Sequence, residues 1–245
     1  MSKRVRYPTG IVYENHVWPV VAGYELVAKY YDDWYWQSFW KANERPLIVE
    51  ELRRFCSCAS PALDLGTGTG LYLNQLMRLG IEAVGVDVSE AMLNIASNNL
   101  SASARLIRGA VEELPFPDKT FNLVTACRVL SHVGNLNIAI QEIGRVINIG
   151  GRFIVSDVSA YHNYTTVRIP TLDGDVHIET YKYTLDQLVA AAEYSGYWTV
   201  DYIKPITYEN LLWKPKQSEY PALDVSSAKP IFFYGVLTRH KKEGE

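Results

Sequence analysis

Between residues 60 and 158, short apolar runs rich in β-branched residues alternate with stretches whose apolar positions recur every three or four residues. The first pattern suits buried strands and the second amphipathic helices, so their alternation predicts a sheet with crossover helices. Strands are expected at Pro61-Ala62-Leu63-Asp64-Leu65, Ile81 to Val88, Ala104 to Arg108, Phe121 to Ala126 and Arg152 to Val158. Most are apolar on both faces, as strands covered on both sides must be. Between them, Ser89 can cap a helix carrying Met92, Ile95 and Ala96 on one face. Leu136, Ala139, Ile140, Ile143 and Ile147 form a second stripe that stops at Gly150-Gly151. Thr184-Leu185-Asp186-Gln187 reads as a capping box, opening a helix with Leu185, Leu188, Val189 and Ala192 inward and Gly196 at its end. Trp198 to Lys204 and Ile231 to Thr238 alternate like strands.

Five β/α steps and two late strands predict an α/β fold with a seven-stranded, mostly parallel sheet and helices on both faces. Residues 1–55 are expected to form an N-terminal helical lid segment and 56–245 the core, one structural domain overall. Residues 159–183 interrupt the last β/α step. Their Leu172-Asp173-Gly174-Asp175 turn predicts a hairpin near the carboxyl edge of the sheet, where open α/β sheets bind ligands.

Composition narrows the partners. The chain has 245 residues, 48% hydrophobic and 21% charged, with a formal net charge of −3. Lys and Arg are scattered, so no basic face is available for nucleic acid. No apolar run approaches the roughly 20 residues that span a bilayer, and Met1-Ser2-Lys3-Arg4 leads into no apolar stretch, which predicts a cytoplasmic protein without membrane contact. Cys56, Cys58 and Cys127 cannot build a disulfide framework or a zinc site, so no metal is expected. A monomer or homodimer is expected. Aromatic residues reach 12%, with 17 Tyr and 6 Trp concentrated before residue 41 and in the last third.

The sharpest motif is Asp64-Leu65-Gly66-Thr67-Gly68-Thr69-Gly70, between a strand and a helical pattern. Glycines there permit a tight turn and close approach of a ligand to the backbone. The dinucleotide fingerprint would need its third glycine at position 71, which is Leu71. Asp87 ends the next strand, where a carboxylate can accept both hydroxyls of a ribose. A free 2′,3′-diol fits that position and a 2′-phosphate does not.

Further segments follow in order: Arg108-Gly109-Ala110-Val111-Glu112-Glu113-Leu114-Pro115-Phe116, then Phe121 to Val133 through Cys127-Arg128-Val129-Leu130-Ser131-His132, then Glu142-Ile143-Gly144-Arg145-Val146-Ile147 with Gly150-Gly151-Arg152-Phe153. Together with the glycine loop they resemble the class I S-adenosylmethionine-dependent methyltransferases. The resemblance is to their small-molecule branch, which includes the type 11 and the ubiquinone and menaquinone biosynthesis methyltransferases. It is strong over residues 60–158 and implies a Rossmann-like fold. By this resemblance Asp64, Gly66, Thr67, Gly68 and Gly70 would surround the methionine part of S-adenosylmethionine, Asp87 would hold its ribose, and Val88 and Met92 would pack on its adenine. Ala110, Val111 and Glu112 would read the adenine edge. This chain departs from the family's Gly-Asp-Ala-Glu there, having Gly109-Ala110-Val111-Glu112. Cys127 and Arg128 would offer backbone groups to the methionine ammonium. Met92 suits plain core equally, and Cys127 suits a small buried hydrophobe better than any thiol role.

On the acceptor side, His132 follows the fourth strand, a position fit for a general base and equally for a loop histidine bonded to backbone. Tyr161, His162 and His177 belong to the inserted segment and are candidates to line a pocket. Tyr30 and Tyr31 resemble the family's lid tyrosines, whereas Trp36, Phe39 and Trp40 share a helical face suited to the core. The expected reaction is in-line methyl transfer to an O or N atom of a small molecule. The alternatives are methylation at carbon of a quinone-like or natural-product intermediate, and a non-catalytic scaffold. A protein or RNA methyltransferase would carry an Asn/Asp-Pro-Pro-Tyr/Phe-type motif where this chain has Cys127-Arg128-Val129-Leu130.

Overall fold

A computed structural model of the chain describes residues 16–161, 165–220, 223 and 228–245. From the amino end, a two-residue strand β1 (Val17–Trp18) leads into helices α1 (Val20–Tyr31), α2 (Trp36–Asn43) and α3 (Arg45–Phe55). Then come β2 (Ala62–Leu65), α4 (Leu71–Arg78), β3 (Ala83–Asp87), α5 (Glu90–Asn99), β4 (Arg105–Arg108), β5 (Phe121–Cys127), α6 (Leu136–Val146) and β6 (Ile147–Val158). A hairpin of β7 (Thr166–Thr171) and β8 (Gly174–Glu179) precedes α7 (Leu185–Ser195), β9 (Trp198–Ile206) and β10 (Phe232–Arg239).

Seven strands form one sheet in the order β4-β3-β2-β5-β6-β10-β9, with β10 antiparallel to both its neighbours and the others parallel. The order reverses between β2 and β5, which opens a crevice at their carboxyl ends. Alternation along the strands builds two apolar layers. Leu63, Leu65, Val124 and Phe153 face α6 and α7, while Ala62, Leu123 and Ile154 face the side packed by Phe39, Trp40, Ile48, Leu52 and Leu73. The caps form as the sequence predicts: Ser89 Oγ accepts from Met92 N, Thr184 and Gln187 close a capping box, and Gly196 ends α7 at φ 71°.

Two local features differ from the pattern. In α5 Leu93 rather than Ile95 is buried beside Met92 and Ala96. The stripe of α6 ends at Val146, and Ile147 already pairs with Phe121, so β6 begins five residues before Arg152. Gly150 (φ 81°) and Gly151, whose added Cβ would lie 2.9 Å from Asn148 O, sit inside this strand at a register shift instead of stopping a helix.

The amino-terminal segment does not behave as a unit separate from the 159–183 insertion. β1 pairs in parallel with β8, Val17 opposite His177 and Trp18 opposite Ile178, extending the hairpin to three strands. α1 packs on that small sheet through Val27 against Val167, Ile169, Val176 and Ile178. Gly23 makes the approach feasible, since a Cβ there would lie 2.7 Å from Ile178. α1, β1 and the hairpin are thus one cap, whereas α2 and α3 pack on the main sheet. The cap is tied down by hydrogen bonds. Glu25 accepts from Glu90 N (2.6 Å) and Ala91 N (3.2 Å) at the start of α5, and Asp32 accepts from Thr69 Oγ1 (2.7 Å). Glu179 at the end of β8 accepts from Val20 N (3.1 Å), giving α1 the cap its own sequence lacks. No helix among the described residues is long and apolar enough to cross a membrane.

Candidate functional site

A cavity of about 470 Å³ opens at the carboxyl ends of β2, β3 and β5 beneath α1 and α2. Its floor is the loop after β2. Gly66, Gly68 and Gly70 hold φ of 57°, 54° and 92°, in the left-handed region open to glycine. A Cβ at Gly66 would strike Val129 at 2.4 Å, whereas at Gly68 nothing but a carbonyl at 3.9 Å lies near, so the backbone of Gly68 is bared to the cavity. Thr67 Oγ1 and Thr125 Oγ1 donate to the two carboxylate oxygens of Asp64 at 2.7 and 2.6 Å. Asp64 is not on the cavity wall. It braces the loop from beneath rather than surrounding a ligand, and burial pushes its carboxyl up to about 6.

Asp87 does face the cavity. Its Oδ2 accepts from Gly68 N (2.8 Å) and its Oδ1 from Ser89 N (2.9 Å), which fix the carboxylate while leaving lone pairs on each oxygen for a diol. Burial raises its pKa. Val88, Met92, Gly109, Val111 and Glu112 continue this wall. Ala110 does not: it turns into a bridge with Glu113. The chain's departure from the family pattern therefore falls on a residue that does not line the cavity.

Cys127 and Arg128 close the crevice. Burial pushes the Cys127 thiol far up, so it stays protonated. Arg128 stands at φ 59°, donating its N–H to Ser156 O (2.7 Å). Its guanidinium lies 5.3 Å from the Trp40 ring centre and pairs with Glu44. Glu44, fully buried at the junction of α2 and α3, also accepts from Tyr72 Oη (3.0 Å) and Ser156 Oγ (2.6 Å). No sequence motif marks Glu44, because its three partners come from three distant segments. Along the same rim lie Lys41 and Arg45, with no salt bridge among the described residues, and Gln37, whose buried Nε2 has no hydrogen-bond partner.

At the opposite end, His132 belongs to a 3-10 turn after β5. Asp157 Oδ2 holds that turn through Ser131 N (2.8 Å), and Thr180 Oγ1 and Tyr181 N donate to Ser131 O. His132 Nδ1 lies 3.2 Å from Glu179 O and Nε2 lies 2.9 Å from Tyr24 Oη. A carbonyl only accepts, so Nδ1 carries the proton and Nε2 accepts from the Tyr24 hydroxyl. Burial, with Arg128 acting in the same direction, lowers the imidazole to about 4. The ring is neutral across the physiological range, and its basicity is below that of a free histidine.

The remaining candidates divide. Tyr31 lines the cavity. Tyr30 does not; it packs on the cap cluster beneath Lys29. Tyr24, one helical turn and more before it, takes the inward place. Tyr161 is 55% exposed beside Lys229, and His177 bonds Thr166 Oγ1 (3.0 Å) across the hairpin, neither reaching the cavity. His162 lies outside the described residues. Trp40, assigned to the core from its helical face, serves both core and cavity wall. Among the described residues no cluster of His, Cys, Asp and Glu is arranged to hold a metal ion.

Comparison with known proteins bears on this geometry. Residues 63–155 match the methyltransferase domain family. A demethylmenaquinone methyltransferase of Tropheryma whipplei is 36% identical over 101 residues, 40% of this chain and 41% of the relative. A ubiquinone/menaquinone biosynthesis C-methyltransferase of Vibrio vulnificus is 33% identical over 115 residues, 42% of this chain and 44% of the relative. The chain thus spans less than half the length of these curated relatives. An S-adenosylmethionine dependent methyltransferase of Mesorhizobium loti superposes with TM-score 0.58 at 16% identity, over 74% of this chain and 91% of that one. A Pyrococcus horikoshii protein gives TM-score 0.59 at 20% identity, over 83% and 91%. The sheet order and these superpositions establish the Rossmann-like fold, and residues 63–155 carry a methyltransferase domain.

Proposed function

We propose that the chain binds S-adenosylmethionine in this cavity and transfers its methyl group to an O or N atom of a small molecule held beneath the cap. The observation that carries the reading is the bared backbone of Gly68, whose N–H fixes the Asp87 carboxylate on the cavity wall at the end of β3. S-adenosylmethionine brings a methyl carbon already activated by a positive sulfonium. What the chain has to supply is alignment and exclusion of water.

Asp87 holds the ribose hydroxyls, while Val88, Met92 and Val111 flank the adenine with Glu112 at its edge. The carbonyls of the glycine loop and of the Cys127-Arg128 turn accept from the ammonium. Lys41, Arg45 and the unpartnered Gln37 Nε2 stand where a carboxylate needs donors. Tyr31, Trp40 and Val133 exclude water from the reacting centre. The cap opens to exchange ligands, and the Glu25 and Asp32 bonds draw it shut. A second reading, methyl transfer to carbon, is favoured by the names of the menaquinone and ubiquinone relatives.

Calorimetric titration tests the first step. Heat of binding with both S-adenosylmethionine and S-adenosylhomocysteine, in buffer free of divalent metal, is the expected result. Silence with both, alongside binding of NAD, overturns the reading.

A further inference from the structure

Resting on that reading, the geometry assigns to Tyr24 a role in the chemistry: its hydroxyl meets the acceptor's hydroxyl and passes that group's proton to His132. The acceptor class follows as a ring-bound hydroxyl of tyrosine-like acidity, a phenol or an enol.

The chain of hydrogen bonds is directional. Glu179 O can only accept, so His132 Nδ1 donates to it at 3.2 Å and Nε2 is left to receive the Tyr24 proton at 2.9 Å. Among the described residues Tyr24 is the hydrogen-bond partner of Nε2, so in this arrangement a proton enters Nε2 from the Tyr24 hydroxyl. Both side chains line the cavity, and beside them stand Tyr31, with its ring centre 6.0 Å from that of Tyr24, and Val20, Val129 and Val133. Aromatic and branched aliphatic walls that carry tyrosine hydroxyls suit a planar, uncharged ring.

In the step itself, the acceptor O–H gives its proton to Tyr24 Oη as the Tyr24 proton moves to His132 Nε2. The acceptor oxygen forms its bond to the methyl carbon, the carbon–sulfur bond breaks, and that electron pair stays on sulfur. The products are a methyl ether, a neutral thioether and an imidazolium that later releases its proton to water. One positive charge is lost at sulfur as one appears on His132, so the site keeps its total charge. This is how a histidine whose burial opposes protonation can still receive the proton. Acidity of its hydroxyl selects the acceptor. The relay's net effect moves the acceptor proton to His132 while the methyl group leaves sulfur, so the more acidic hydroxyl is favoured, and a phenol, near 10 like tyrosine, gives up its proton in that step. A hydroxyl as weakly acidic as water, about 15.7, does not.

The pair is also divided between the two parts of the molecule. Tyr24 comes from α1, His132 from the turn after β5, and Glu179 serves both, capping α1 with its side chain and orienting the imidazole with its carbonyl. The relay therefore exists only when the cap is docked.

The test uses the full chain saturated with S-adenosylhomocysteine and two fluorine probes, 4-fluorophenol and 4-fluorotoluene, followed by ¹⁹F NMR. Binding of S-adenosylhomocysteine is measured first, and its failure sinks the functional reading rather than this one. With the nucleoside bound, 4-fluorophenol is expected to bind in the millimolar range or better, and Tyr24→Phe to weaken it about tenfold while leaving 4-fluorotoluene unchanged. ¹⁵N spectra of the histidine side chains should show His132 as the Nδ1–H form, with the Nε2 resonance moved by Tyr24→Phe. A nucleoside complex that takes up no 4-fluorophenol, equal phenol binding in Tyr24→Phe, or an Nε2–H imidazole overturns the assignment. His132→Gln serves as the second variant: it keeps a polar group beside Tyr24, and phenol binding that survives Tyr24→Phe but not His132→Gln would place the acceptor on the histidine directly.

Discussion

The two ends of the cavity are built in different ways. At the glycine-loop end, the polar groups sit on loops directly continuous with β2, β3 and β5, and the tie between the loops after β2 and β3, Gly68 N to Asp87, spans 19 residues. At the acceptor end, the bonds that set His132 cross 108 residues to Tyr24 and 47 to Glu179, and Glu179 in turn reaches 159 residues back to Val20. A cradle made from the ends of adjacent paired strands survives small shifts of its surroundings. One assembled from three remote segments exists only while all three stay packed, so the acceptor end should respond to pH and to cap mutations that leave the nucleoside end unmoved.

Acid should separate the ends most. His132 has a folded-state pKa of about 4, below its ordinary 6.5, so the unfolded chain binds more protons between those values and the histidine's contribution to stability is lost as pH falls from about 6.5 to about 4. Asp64, raised to about 6, has the opposite sign: its burial costs stability as pH rises from about 4 to about 6. Comparing the wild type with His132→Asn cancels the Asp64 part. Urea unfolding at pH 7 and pH 4 should show the wild type losing about 3 kcal/mol relative to the variant on acidification. Parallel losses in the two proteins would mean that His132 titrates normally and that the buried neutral ring is wrong.

At the nucleoside end, Asp87→Ala should weaken S-adenosylhomocysteine binding by about 1.5–3 kcal/mol, the worth of hydrogen bonds to a charged acceptor. His132→Ala should leave the same affinity within a few-fold. Calorimetry on both variants breaks the comparison if the two losses are alike, since the histidine would then support the glycine loop.

The cap latches should give the smallest effect. Glu25→Gln or Asp32→Asn should speed hydrogen exchange over residues 20–40 roughly fivefold, as the loss of about 1 kcal/mol at a helix start or loop bond allows. Added S-adenosylhomocysteine should slow exchange there in the wild type. Equal protection with and without ligand would mean that α1 is fixed core.

The contrast between the two ends also explains what could be read in advance. Glycines at 66, 68 and 70 and the acid at 87 are local requirements of a strand-to-helix turn and a strand end, and each meets its partner through the register of adjacent parallel strands, so spacing along the chain stands in for distance. Asp64 shows the limit: its place in the motif is legible, but only the neighbouring strand reveals that Thr125 takes its second oxygen and keeps it off the cavity wall. Tyr24 and Tyr30 are six residues apart on one helix, and nothing in their surroundings along the chain distinguishes the one that turns inward.

By itself, then, the sequence determined the sheet, its helices and their caps, and the glycine loop with the acid at the end of the next strand, because periodicity, glycine conformation and strand-end chemistry act over a few residues. Only the tertiary structure decided that α1 and the inserted hairpin form one cap, that Glu44 neutralises Arg128 from the α2–α3 junction, and that His132 is neutral and hydrogen-bonded to Tyr24. Those outcomes depend on which distant surfaces bury one another. Desolvation and hydrogen-bond partners are set by that burial and not by neighbours along the chain.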